Sequence, residues 1–165
     1  MRALVTGCAG FIGSHLTESL LADGHDVLGV DCFNANYARA DKLRNLERAR
    51  AWDSFEFVPV DLARGDLAEL VTECGVVFHL AAEPGVRTSW GDGFERYVRN
   101  NVTATQHLLE AVRVAPDCRV VYASSSSVYG QAETLPTPED VVPHPVRFMD
   151  RRIAWMDRAI GSLRC

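Results

Sequence analysis

The sequence predicts an α/β fold built as a doubly wound parallel sheet, and three observations carry that expectation. Short apolar runs alternate with stretches of helical spacing as far as about residue 130, the pattern of right-handed βαβ crossovers. The first run, Ala3-Leu4-Val5, leads straight into Thr6-Gly7-Cys8-Ala9-Gly10-Phe11-Ile12-Gly13, with glycines three residues apart. Asp31 closes the second run, Val27-Leu28-Gly29-Val30, roughly 20 residues beyond the glycine turn.

A sharp turn, a backbone close to a pyrophosphate and a helix packed tightly on its strand each require a residue without a Cβ. The glycines at 7, 10 and 13 meet those needs, and the unpaired N–H groups of the following helix face the phosphates. At its distance from the turn, Asp31 is the carboxylate that takes the adenosine ribose hydroxyls of a dinucleotide. The architecture is therefore Rossmann-like.

Taken in order, a strand from Arg2 precedes the turn, and Ile12, Leu16, Leu20 and Leu21 then keep helical spacing until Asp23-Gly24-His25 ends the helix. After the strand to Asp31, Cys32 to Tyr37 is a polar loop, and Ala40, Leu43 and Leu46 mark a short helix with arginines on its other face. Phe55 to Val60 alternates as a third strand ending at Asp61. Asp66 to Thr72 is a short helix, and Val76 to Ala81 is a buried strand entering the loop from Ala82 to Ser89. A long helix spans Phe94 to Val114, with Tyr97, Val98, Asn101, Leu108, Leu109 and Val112 on or near one stripe. Arg119 to Ala123 is the fifth strand, followed by Ser124-Ser125-Ser126-Ser127-Val128-Tyr129-Gly130. A serine run suits a flexible linker; between a buried strand and an aromatic-glycine turn it reads better as hydroxyls gathered at the carboxyl edge of the sheet. The first strand is expected near the middle, with the ligand crevice beside it.

Composition bounds the function. At 165 residues the chain holds one domain, and a net charge of −5 gives no basic excess for nucleic acid. No apolar run reaches transmembrane length and no signal peptide is expected, so the expectation is a cytoplasmic protein without membrane partners. Cys8, Cys32, Cys74, Cys118 and Cys165 form no C-x-x-C pair, and no histidine stands at zinc-ligand spacing, so no metal is expected. His79, at the end of an apolar strand, reads as a satisfied structural histidine.

Thr6 to Gly13, Asp31, Asp61-Leu62, His79-Leu80-Ala81-Ala82, Asn100-Asn101-Val102 and Val121 to Gly130 together resemble the extended short-chain dehydrogenase/reductases, specifically the NAD-dependent sugar-nucleotide epimerases and dehydratases. The likeness covers residues 1 to 146. Glu83-Pro84-Gly85-Val86-Arg87 and the serine run are most similar to UDP-glucuronate and UDP-glucose 4-epimerases, since Ser125-Ser126-Ser127 stands where the dehydratases carry Thr-Asp-Glu.

The resemblance implies NAD as cofactor, with its phosphates on Gly7, Gly10, Phe11, Ile12 and Gly13 and its adenosine ribose on Asp31. A carboxylate there repels a 2′-phosphate and favours NAD over NADP. Phe33, Asn34, Asp61 and Leu62 would flank the adenine, and Leu80, Ala81, Ala82 and Asn100 the nicotinamide side. Asn100 has a second reading, as a helix residue bonded to neighbouring backbone. The implied substrate is a nucleotide-sugar, most simply a UDP-sugar. Arg87 and Ser89 either face it or belong to a solvated loop. Ser125 would orient the reacting hydroxyl, and the long helix would take part in a homodimer.

The implied reaction removes a hydride from a sugar carbon and returns it to the other face, with a Tyr-x-x-x-Lys pair as base and charge partner. Here Met149 and Ile153 stand at the tyrosine and lysine positions, and the only lysine is Lys42. The expectation is thus the NAD-binding part of such an enzyme, truncated after about five strands with the substrate domain missing and inactive alone. A non-catalytic NAD-binding module, a remnant of a truncated or frameshifted gene, and a dehydratase or decarboxylase of the same family are the alternatives. Residues 147–165 form an arginine-rich tail in which Met149, Ile153, Met156, Ile160 and Leu163 keep the spacing of an amphipathic helix.

Overall fold

The computed structural model describes residues 1–36, 38–84, 91–131, 134–145, 151 and 154. Consecutive buried residues, as in Ala3-Leu4-Val5 and Val27-Leu28, put apolar side chains on both faces of a sheet of five short strands, which a parallel sheet flanked by helices requires. The strands are β1 (Arg2–Thr6), β2 (Asp26–Val30), β3 (Phe55–Val58), β4 (Val76–His79) and β5 (Arg119–Tyr122). All pairs are parallel, in the order β3-β2-β1-β4-β5. The first strand is central, as expected, and the order reverses between β1 and β4, so a crevice opens at their carboxyl ends. Leu4 lies opposite Leu28 on one side and Val77 on the other.

On one face Leu4, Leu28, Val77 and Val120 pack with Val71, Leu108 and Val112 from the helices α3 (Ala68–Thr72) and α5 (Ala104–Arg113). On the other, Val5 and Val27 pack with Leu21 of α1 (Phe11–Ala22) and Leu46 of α2 (Arg39–Leu46).

Two helix faces differ from the expectation. In α1 the residues turned to the sheet are Gly13, Ser14, Thr17 and Leu21, while Ile12 is 65% exposed and Leu16 and Leu20 are half-buried. The cause is proximity: a Cβ at Gly13 would lie 2.2 Å from the Gly7 carbonyl oxygen, so the first turn sits too close for anything but small side chains. In α2, Ala40 is exposed and Leu43 half-buried, and the position sealed inside along with Leu46 is Lys42.

The long helix forms as expected but is not uniform. It runs through α4 (Phe94–Tyr97), a π-helical stretch (Val98–Thr103) and α5. The widened turn sets Asn101 against the loop after β4, where its Oδ1 accepts from Glu83 N at 2.6 Å and its Nδ2 donates to Glu83 O at 3.1 Å. Tyr97, Leu108, Leu109 and Val112 are buried, and Val98 and Asn101 are half-buried. Among the described residues β5 pairs with β4 alone, and its Val121 is 46% exposed. Of the tail, Arg151 and Ala154 are helical and Ala154 is buried; Met149, Ile153 and the rest of the expected amphipathic helix lie outside the described residues. No helix among the described residues is long and apolar enough to cross a membrane. Cys8, Cys32, Cys74 and Cys118 are free, and burial pushes the Cys74 thiol up to about 11, leaving it protonated and inert.

His79 locks β1, β4 and the long helix together. Thr6 Oγ1 accepts from the amides of Leu80 and Ala81, both at 3.1 Å, so its own hydrogen goes to His79 Nδ1 at 2.8 Å. The ring therefore carries its proton on Nε2 and donates to Thr105 Oγ1 at 2.9 Å, which in turn donates to Asn101 O at 2.7 Å. Burial lowers the pKa from 6.5 to about 4. The unfolded chain takes up a proton below about pH 6.5 while the folded ring stays neutral, so the stability held by His79 is complete above that pH. It is lost as the pH falls towards 4, by of order 3 kcal/mol. Urea unfolding from pH 7 to 4.5 should show a steeper loss for the unaltered chain than for His79→Gln; parallel profiles contradict the assignment.

Candidate functional site

The glycine turn is held from behind by β2. Gly7 N donates to Val30 O at 2.8 Å and Cys8 N to the same oxygen at 3.3 Å. Gly7 has φ +71, a conformation disfavoured for residues with a Cβ, and a Cβ there would lie 3.0 Å from Ala81 N and Cα. Gly10 N closes the turn on Gly7 O at 2.9 Å, and Gly10 is the residue before α1. Among the described residues no side chain caps α1, and its first turn holds no acid, so the positive end of the helix and its N–H groups open into the crevice.

That crevice is a cleft of about 260 Å³ across the carboxyl ends of β3, β2, β1 and β4. It brings together Gly7, Gly10, Phe11, Ile12, Gly13, Asp31, Asn34, Asp61, Leu62, Leu80, Ala81, Ala82 and Asn100, every residue expected at a dinucleotide except Phe33. Phe33 N donates to Asp31 Oδ1 at 2.7 Å, which bends the chain to φ 52 at Phe33. Its ring then packs edge-on against Phe57, centroids 5.4 Å apart, beneath the Arg39 guanidinium.

Lys42 is the principal residue that pattern reading missed. Its Nζ donates to Asp31 Oδ1 at 3.0 Å and Asn34 Oδ1 at 2.8 Å, with both members of the ion pair almost fully buried. The available signal was a lone lysine on a helix whose other cations are arginines. Val30, Cys32, Asn36, Val60, Pro84 and Ala104 complete the lining. Asp61 accepts from Ala63 N at 3.1 Å through one oxygen and from Arg99 through the other. Glu83, buried beside the cleft, accepts from Arg96 Nε at 3.0 Å and Asn100 Nδ2 at 3.1 Å. Asn100 is thus tied to a side chain rather than to neighbouring backbone.

Each acid in or beside the cleft has a cation of its own: Lys42 on Asp31, Arg99 on Asp61, Arg96 on Glu83. An acidic chain thereby presents an anion with neutralised carboxylates and a helix N-terminus, which suits a diphosphate. Ser125 is not in the lining; its Oγ accepts from Ser127 N at 3.3 Å and caps the turn Ser126–Tyr129. Arg87 and Ser89 lie outside the described residues. Among the described residues no group of three or more His, Cys, Asp or Glu could hold a metal ion.

The family model described as GDP-mannose 4,6 dehydratase matches residues 4–147. An uncharacterised UDP-glucose epimerase of Bacillus subtilis (strain 168) is 48% identical over 134 residues, 81% of this chain and 42% of that protein. The UDP-glucose 4-epimerase of Mycolicibacterium smegmatis is 46% identical over 149 residues, 88% of this chain and 45% of that protein. Among solved structures, UDP-glucuronic acid 4-epimerase from Bacillus cereus in complex with UDP-glucuronic acid and NAD superposes with a TM-score of 0.90 at 37% identity, covering 99% of this chain and 52% of that one. The chain spans about half the length of the relatives it matches.

If the closeness of α1 to the turn builds the cradle, Gly13→Ala should cost about 2 kcal/mol or more in urea unfolding. Gly24→Ala, where a Cβ meets nothing within 4 Å and only the φ of +78 opposes it, should cost about 1 kcal/mol. Equal losses contradict the close-approach account.

Proposed function

We propose, from the premise that this chain belongs to the GDP-mannose 4,6-dehydratase family, that residues 1–146 form the NAD-binding domain of a nucleotide-sugar epimerase acting on a UDP-sugar. The observation that carries the reading is the uncapped first turn of α1 behind a glycine cradle that a Cβ would fill, with Asp31 lining the same cleft. The donor set fits NAD: backbone N–H groups for the diphosphate and a carboxylate for a ribose diol. The names of the relatives support the substrate class.

When bound, NAD supplies the hydride acceptor and donor for turning over a sugar carbon. The chain's own residues bind and orient. Gly7, Gly10 and Gly13 let the backbone come close, and the amides of Phe11 and Ile12 lie at the positive end of α1. Asp31 commits Oδ1 to Lys42 and to Phe33 N, which leaves Oδ2 to accept from the ribose hydroxyls. A 2′-phosphate at that position meets the carboxylate and is disfavoured. Ser125, at the carboxyl edge of β5, is the hydroxyl proposed to orient the reacting oxygen. Met149 and Ile153 supply neither a base nor a cation, so the chain by itself holds NAD without turning a sugar over. A cytosolic setting, where the free thiols stay reduced, fits this role.

Thermal melting with NAD tests the reading. At about a hundred times its dissociation constant, NAD should add roughly 2.7 kcal/mol of stability, NADP should add much less, and Asp31→Ala should abolish the gain. No shift with NAD contradicts the proposal. Conversion of UDP-glucose or UDP-glucuronate by the 165-residue chain alone contradicts the part assigned to Met149 and Ile153.

A further inference from the structure

Glu83 sits in the loop after β4 with its side chain only 2% exposed, and a carboxylate so buried must be met by donors. It has three. Arg96 Nε lies 3.0 Å from Oε1, and Oε2 accepts from Asn100 Nδ2 at 3.1 Å and Asn34 Nδ2 at 3.5 Å. Its main chain is clamped on both sides by the Asn101 amide, which fixes the point from which the side chain reaches inward. An ionised carboxylate only accepts, so both neighbouring amides must turn their NH₂ groups towards it. For Asn34 the consequence is visible: its carbonyl points the other way and accepts from Lys42 Nζ at 2.8 Å. Asn100 lines the cleft, and the same constraint leaves its Oδ1 on the side away from Glu83.

We propose that Glu83 is a positioning residue whose charge fixes the Asn100 amide so that a carbonyl oxygen, an acceptor, is presented to the cleft. This rests on the NAD reading above and deepens it. An acceptor repels phosphate oxygens and takes a hydrogen from a ribose hydroxyl or a carboxamide N–H, so Asn100 selects a donor-bearing part of the dinucleotide and leaves the phosphates to α1. The neutral isostere at 83 would set an NH₂ among donors. With the glutamine oxygen held by the charged Arg96 donor, its NH₂ would face Asn100, and Asn100 would flip with its own NH₂ towards the cleft.

The test is calorimetric titration of NAD into the 165-residue chain, Glu83→Gln, Asn100→Ala and the double variant. Each single change should weaken NAD by about tenfold, and the double variant should bind no more weakly than Asn100→Ala, because Glu83 acts through Asn100. Multiplied losses in the double variant, or full affinity in Glu83→Gln, overturn the proposal. If Glu83→Gln does not fold, the swapped pair Glu83→Gln with Asn100→Asp decides. There the amide at 83 donates to a carboxylate at 100 and an acceptor still faces the cleft, so NAD should bind within about threefold of the unaltered chain; weak binding by the folded pair overturns it. Failure of the unaltered chain to bind NAD removes the cofactor reading itself, an outcome read before any variant is compared.

Discussion

The approach of α1 to the Gly7 carbonyl governs what surrounds it. With the Gly13 backbone so near that oxygen, the first turn is pinned on the glycine turn, its small residues face the sheet, and the side chains of Phe11 and Ile12 are left exposed. The same approach leaves the first-turn amides without a cap and aims them where β1 and β4 diverge. A cap would have filled the site, and a larger residue at 13 would have moved it.

Around that cradle the electrostatics are arranged by pairing. Three carboxylates border the cleft, and each meets a cation from a different helix segment: α2, α4 or the π-helical stretch. The π-helical stretch matters because it lets consecutive residues serve different partners. Arg99 reaches Asp61, Asn100 reaches the Glu83 carboxylate, and Asn101 holds the Glu83 main chain. The directed chain from Thr6 through His79 and Thr105 ends on Asn101 O, so one line of hydrogen bonds joins the strand carrying the glycine turn to the helix carrying the asparagines.

The parts of the fold legible in the sequence were those written in short apolar runs and in glycine spacing: the five strands, the central place of β1, and most of the cleft lining between Gly7 and Asn100. What escaped was set by contacts between distant polar groups. Apolar spacing pointed to Leu16 and Leu20, but closeness to the turn put Ser14 and Thr17 against the sheet instead. Lys42 is buried because Asp31 and Asn34 meet it, and a count of apolar residues along α2 assigns a lysine to solvent. Phe33 left the cleft because an Asp31 side-chain bond bent the backbone, which residue type alone does not announce. Glu83 read as part of a loop motif, and its role emerged only with Arg96 and Asn100 folded over it.

The central claim is that the uncapped first turn of α1 is the surface that receives the diphosphate. An amide-resolved NMR titration of the ¹⁵N-labelled chain with NAD tests it most directly. The account predicts that the largest shifts fall on the amides of Gly10, Phe11, Ile12 and Gly13, with Asp31 responding in parallel. Saturable NAD binding that leaves those amides unmoved would contradict it.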